Sequence, residues 1–356
     1  MTGVALTAWS ALSPFGLGAG EFAAGLRRGI PAVAALDRAE WAGPDDRAGL
    51  VPGFDVRELL GRKGTRSMDR ATGIAVVTIE LLLAGLGGRA GAGGAETGLV
   101  LGTGSGSVRS IMEFTGDALS GEKPYHVDPA RFPNTVMNRA AGQSAIWHGF
   151  KGPNTTIAGG ALTGLLALNY ALRLRRGGHC DAVLCGVVEE YSIQRAWLER
   201  GSGAAGMPLG EGGVVVLLES PVAARAAGRD PLATVLGASF AAFQDVGDAR
   251  AALRRCIEEV LTRANIDGAK VTLAASSEAA GALAEQEEGA LDDVFGPAGP
   301  ARVAVKALIG DTSAAAAAFQ LAAALVSAAA GDFAVLTAVD IGGTAGAVII
   351  HKGPHI

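Results

Sequence analysis

The chain reads as an α/β protein whose sheets are covered on both faces, and three observations predict this. Short apolar runs without polar alternation recur at Gly98–Gly102, Ala182–Gly186, Val214–Leu218, Val271–Ala275 and Ala347–Ile350; a strand buried on both faces needs no polar side. Helical patterns separate them, at Met68–Leu83, Thr163–Leu174, Ala251–Arg263 and Ser313–Ala328, the alternation expected of layered α/β architecture. A hydrophobic fraction of 49% with only 5% aromatic residues and 53 glycines suits elements packed backbone against backbone.

In chain order, the opening residues through Thr7 carry no basic segment and turn polar too early for a signal peptide, so they are expected to form a buried first strand. Each half of the chain closes its core with a glycine loop before a strand. These are Gly210-Glu211-Gly212-Gly213 before Val214, and Gly342-Gly343-Thr344 before Ala347. With Ser220–Asp230, rich in Ala and Arg, as the divide, residues 1–222 and 229–356 are expected to be two lobes of one domain. The longest apolar stretch, Ala314–Ala330, is broken by Gln320 and Ser327 and reads as a core helix, not a membrane span. Cys180, Cys185 and Cys256 show no paired spacing, which fits a reducing compartment, with the cytoplasm as the expectation. A net charge of −5 without a Lys/Arg tract argues against nucleic acid as partner. His126, His148, His179, His351 and His355 are scattered and read as surface or loop residues, so no metal site and no cofactor are expected.

The segment Phe150-Lys151-Gly152-Pro153-Asn154-Thr155-Thr156-Ile157-Ala158-Gly159-Gly160-Ala161-Leu162-Thr163-Gly164, followed by an apolar helix and an Arg175-Arg176-Gly177 turn, resembles the nucleophile region of the β-ketoacyl synthases. The resemblance extends over essentially the whole chain. It implies a thiolase-like fold, two related lobes in an α-β-α-β-α arrangement of layers. It also implies that three catalytic positions have changed. Counting from Gly152-Pro153-Asn154, the family cysteine falls on Ala161. The register set by Glu287 and Val294-Phe295-Gly296 puts Ser276 at the first histidine. Lys306-Ala307-Leu308-Ile309-Gly310 is followed by Asp311 where the second histidine stands. Lys306, Gly310, Gly342, Gly343 and Thr344 are the retained framework. A methyl group cannot attack a thioester, whereas the family uses a thiolate at a helix N-terminus.

The resemblance further implies a dimer, with Phe132, Asn134, Val136, Met137, Thr156 and Ile157 at its interface. In type II polyketide synthases a catalytic ketosynthase pairs with a chain length factor, a ketosynthase-like subunit without the cysteine. The chain is similar to the latter. Its expected partners are therefore a catalytic ketosynthase subunit and, transiently, an acyl carrier protein. A tunnel for the growing chain would be lined by Val108, Ile111, Met112 and Thr115, which helical spacing places on one face. Two other readings stand beside this one. The first is a stand-alone acyltransferase or hydrolase built on Ser276, Asp311, Thr163 or Glu287, with Lys306 as the available base. The second is an acyl-chain or carrier-binding module without turnover.

Overall fold

The computed structural model describes residues 4–202 and 206–354; His355 lies outside them. Among the described residues the main sheet has eleven strands, ten of them longer than two residues. In the first half these are β1 (Val4–Ser13), β2 (Gly98–Gly102), β3 (Asn154–Ile157), β4 (Ala182–Glu189) and β5 (Gly212–Glu219). In the second half they are β6 (Ala233–Ala242), β7 (Val271–Ala275), β8 (Ala301–Val303), β9 (Phe333–Asp340) and β10 (Thr344–Lys352). The two-residue strand Gly16–Leu17 folds back on β1. Among the described residues, eight helices reach ten residues or more: α1 (Ala19–Arg28), α2 (Arg70–Gly85), α3 (Val108–Ser120), α4 (Arg139–His148), α5 (Thr163–Arg176), α6 (Ala249–Ala264), α7 (Ala282–Phe295) and α8 (Ala316–Ser327).

The strand order is β8-β7-β9-β10-β6-β1-β5-β4-β2-β3. Read outward from its middle, each half repeats one pattern: β1-β5-β4-β2-β3 on one side, β6-β10-β9-β7-β8 on the other. The directions match as well, since β1/β5 and β6/β10 are antiparallel while β4/β2 and β9/β7 are parallel. Three residue pairs between β1 and β6 join the halves.

Side chains leave each strand alternately toward two cores, which is why the sequence shows no polar alternation. On β5, Val214, Val216 and Leu218 enter the central core while Val215 and Leu217 enter an outer one. On β9, Leu336 and Ala338 point centrally and Val335 and Val339 outward. The central core holds α5 and α8; α2 covers one outer face and α6 the other. Five layers result, as a thiolase-like fold requires.

Every residue of α8 from Ala316 to Val326 is buried. Its alanines let α5 approach closely: a Cβ at Gly164 would stand 2.8 Å from the Ala318 nitrogen and 2.9 Å from the Ala317 Cβ. The helix expected over Ser313–Ala328 begins later, because Ser313 takes φ 50° and Ser313–Ala315 form a 3-10 turn first. Strands β6, β8 and β9 had no counterpart among the sequence-expected runs.

Candidate functional site

The turn entering α5 is built around Asp340, the last residue of β9. Gly160 sits at φ 56°, and a Cβ there would stand 2.1 Å from an Asp340 carboxylate oxygen, so the position requires glycine. The Ala161 N–H donates to Asp340 Oδ2 at 2.8 Å, and the Gly342 N–H donates to Asp340 Oδ1 at 2.7 Å. Thr163 closes the turn, its hydroxyl donating to the Gly160 carbonyl (2.7 Å) and accepting from the Gly159 N–H (3.0 Å). The side chain at the head of this buried helix is thus a methyl, and its amide is occupied by a carboxylate. Gly343 (φ 82°) tightens the loop before Thr344 opens β10.

Ser276 and Asp311 border the N-terminal part of α8. Gln320 Nε2 donates to the Ser276 carbonyl. The buried Glu287 is engaged by the neighbouring Ser277, whose hydroxyl donates at 2.6 Å and N–H at 2.9 Å, and by the Thr337 hydroxyl at 2.7 Å. Burial raises the Glu287 carboxyl above its ordinary range against those hydrogen bonds. Lys306 Nζ lies 3.3 Å from Asp311 Oδ2, and the Ser313 N–H donates to Oδ1 at 2.7 Å. Burial by itself would raise the Asp311 carboxyl, but Lys306, that N–H and Arg195 together hold it below the usual range. Gly310 (φ 83°) sets the turn between them. The cavity among Ser277, Lys306, Thr312, Phe319 and Gln320 measures about 10 Å³, roughly the room one water needs.

A second region was not read from the sequence. Glu189 ends β4, Glu190 follows it, and Glu211 immediately precedes β5; all three are buried. Arg70 grips Glu211 through Nε–Oε2 (2.6 Å) and Nη2–Oε1 (2.5 Å), with its guanidinium over Trp41 and Phe54. Glu190 accepts from the Ser107 hydroxyl (3.1 Å) and from the N–H groups of Arg109 (3.3 Å) and Ala71 (3.2 Å), fastening the N-termini of α2 and α3 to β4. Burial pushes Glu189 up to about 7 and Glu190, aided by the Asp69 charge, up to about 8. Arg195, also buried, donates to the carbonyls of Glu190, Gly210 and Asp311. Of these groups Arg70, Ser107, Arg109 and Glu190 line a cavity of about 550 Å³. The doubled acid continuing an apolar strand was the available sequence signal.

The residues expected to line a tunnel and an interface all fall in the sequence between β2 and β4. Val108 is buried, Ile111 is half-buried, and Met112 and Thr115 are exposed. Phe132, Val136 and Met137 are exposed, with Ile146 beside them in sequence at 75%. Asn134 is committed within the chain, donating to the Ser67 carbonyl and accepting from Arg139, both at 3.0 Å. Thr156 and Ile157 are half-buried on β3, which ends the sheet and has one edge unpaired. Arg131 bonds Glu113 (2.9 Å) and Asp117 (2.5 Å), and so joins the Phe132 turn to α3.

Of the histidines, His148 departs from its expected exposure. It ends α4 buried, with Nε2 3.2 Å from the Val76 carbonyl, and burial depresses its pKa to about 4. The three cysteines are free and buried, and burial lifts the Cys185 thiol to about 12, so none is an activated nucleophile. Among the described residues no helix is long and apolar enough to cross a membrane.

This fold and turn belong to a ketosynthase framework. The family description "Beta-ketoacyl synthase, N-terminal domain" matches residues 1–223, and the chain belongs to that family. A putative polyketide β-ketoacyl synthase 2 of Streptomyces coelicolor is 30% identical over 321 residues, covering 82% of this chain and 74% of that protein. The 3-oxoacyl-[acyl-carrier-protein] synthase 2 of Vibrio cholerae is 30% identical over 212 residues, covering 53% of this chain and 51% of the other, so the chain spans about half the length of that relative. Among solved structures, the ishigamide ketosynthase/chain length factor superposes with TM-score 0.92 at 39% identity, covering 99% of both chains.

Proposed function

We propose that this chain is the chain length factor of a type II polyketide synthase. It pairs with a catalytic ketosynthase and is itself non-catalytic. In this reading Ala161, Ser276 and Asp311 stand at the family's Cys-His-His positions, and an acyl carrier protein visits the complex transiently. The observation that carries it is the Ala161 turn. Thioester attack needs a nucleophile and amide donors free to receive the developing oxyanion. The turn has a methyl group, and the amide at that residue is held by Asp340 at 2.8 Å. At both replaced histidine positions the available base is already engaged: Glu287 accepts from Ser277 and Thr337, and Lys306 is paired with Asp311.

The exposed apolar residues Met112, Phe132 and Met137, and the position of β3 at the end of the sheet, support pairing with another subunit. A patch of this kind on a soluble protein marks an interaction face. Residues of α3 would close the tunnel at a set depth, since each CH₂ accommodated gains about 0.8 kcal/mol while forcing chain into filled space costs roughly 1–3 kcal/mol. Ile111→Trp and Met112→Trp, in complex with an intact ketosynthase, are expected to shorten products without reducing acylation of the partner's cysteine. Product mass spectrometry reads the first effect, and intact-protein mass reads the second. Unchanged lengths in both variants would remove α3 from the wall. Condensation of malonyl and acyl carrier thioesters by the purified chain alone would overturn the non-catalytic role.

A further inference from the structure

A groove of about 660 Å³ lies between β1, the N-terminus of α1 and the C-terminal ends of α2 and α8, within the size range of small-molecule sites. Its lining shares no residue with the catalytic positions or with the interface face. One wall is apolar, made by Leu81, Leu86, Leu325 and Val326. Lys352, on the last strand, also lines the groove yet is only 2% exposed. The nearby buried acid, Glu219, is already taken: Arg229 holds it through Nε (3.0 Å) and Nη2 (2.5 Å), and the Thr7 hydroxyl donates to it at 2.6 Å. Among the described residues no group pairs with the Lys352 ammonium. Burial alone depresses its pKa, with no countercharge to offset it. An unpaired buried cation is costly unless an anion supplies the missing charge.

A second donor set faces the same space. Helix α1, ten residues long, starts at Gly18 without a side-chain cap, so its first N–H groups have no intrahelical acceptor. Gly18, Ala19 and Gly20 line the groove, and a Cβ at Gly18 or Gly20 would meet nothing within 4 Å.

We propose that this groove is a binding site for a single-headed organic anion, a carboxylate on an unbranched apolar tail. The head is drawn to Lys352 and the start of α1, and the tail lies along Leu81, Leu86, Leu325 and Val326. The proposal is independent of the chain-length reading and would survive its failure.

Calorimetric titration of the full chain, alone or in its ketosynthase complex, with decanoate, decanol and acetate tests it. Decanoate is expected to bind saturably at one site per chain, with decanol (no charge) and acetate (no tail) at least tenfold weaker. Lys352→Met should weaken decanoate at least tenfold and leave decanol unchanged, while Lys352→Arg retains binding. Gly20→Asp provides a variant that should keep the fold, because a carboxylate suits a helix N-terminus; it should repel decanoate by a similar factor. Absence of saturable decanoate binding, decanol binding as tight as decanoate, or undiminished decanoate affinity in folded Lys352→Met or Gly20→Asp would each overturn the site.

Discussion

Both halves of the molecule lay five strands in the same order around one buried helix, but they differ in what connects those strands. In the second half the links are short: α6, α7, the turn before α8, and the Ile341–Gly343 turn between β9 and β10. The first half adds α1 and further short elements before β2, and the α3–α4 excursion between β2 and β3. Nearly all of the site-bearing surface follows from those additions. Among the described residues, Ile341 is the only exposed large apolar side chain of the second half, whereas Met112, Leu119, Tyr125, Phe132, Val136, Met137 and Ile146 all lie on the excursion. Of the buried acids, Glu189 and Glu190 accept from Gly104, Ser107 and Arg109 where the excursion begins, while Glu287 of the second half is satisfied by hydroxyls and an N–H. The repeated part makes the core, and the unrepeated part makes what a partner can meet.

The largest way to break this contrast is at the shared core. Gly164→Leu would drive a side chain into the α8 backbone, 2.8 Å from where its Cβ must sit. A loss of more than about 3 kcal/mol, or no soluble protein, is expected from such overpacking. Gly116→Ala, in open space on α3, should instead gain about 0.5–1 kcal/mol. Urea unfolding measures both, and equal effects would refute the division between packed core and open excursion.

Arg70→Met comes next. It strands the fully buried Glu211, and losing one partner of a buried pair costs about 3–5 kcal/mol. If the double variant Arg70→Met/Glu211→Leu fails to recover part of that loss, the ion pair is not what the single change destroys.

The last way to sharpen the contrast is pH-dependent. Glu189 and Glu190 have pKa values near 7 and 8 when folded and ordinary ones when unfolded. Between pH about 4.5 and those values the folded state therefore binds more protons, and stability falls as pH rises, by roughly 1.4 kcal/mol per unit per group. Glu190→Gln should flatten this slope, leaving stability near pH 4.5 little changed and raising it at pH 8. Thermal melts from pH 5 to 8 would detect it; an identical slope in the variant rules out Glu190 as its source.

How much was legible depended on how local the determining contacts are. Strand β2 was readable to the residue because both faces are apolar and glycines bound it. Strand β6, reading Ala233-Thr-Val-Leu-Gly-Ala-Ser-Phe-Ala-Ala242, mixes small and polar residues and is held as a strand by pairing with β1 and β10. Ala161 was identified by its position in the loop, but not the carboxylate on its amide, since Asp340 lies 179 residues away. Glu190 and Arg70 escaped notice for the same reason, their partners being scattered across the chain. His148 was misjudged because a histidine ending a helix beside glycine looks exposed until Val76 is packed onto it.

The order of residues alone determined the layered α/β class, the apolar central helix and the methyl at the head of α5, because these depend on side-chain periodicity and identity. Only the tertiary structure decided that the amide there is occupied, that the apolar residues of the excursion stay exposed, and that Lys352 is buried without a countercharge among the described residues. Those facts depend on which distant groups meet, and the free energy of a charge or a hydrogen bond is set by what surrounds it.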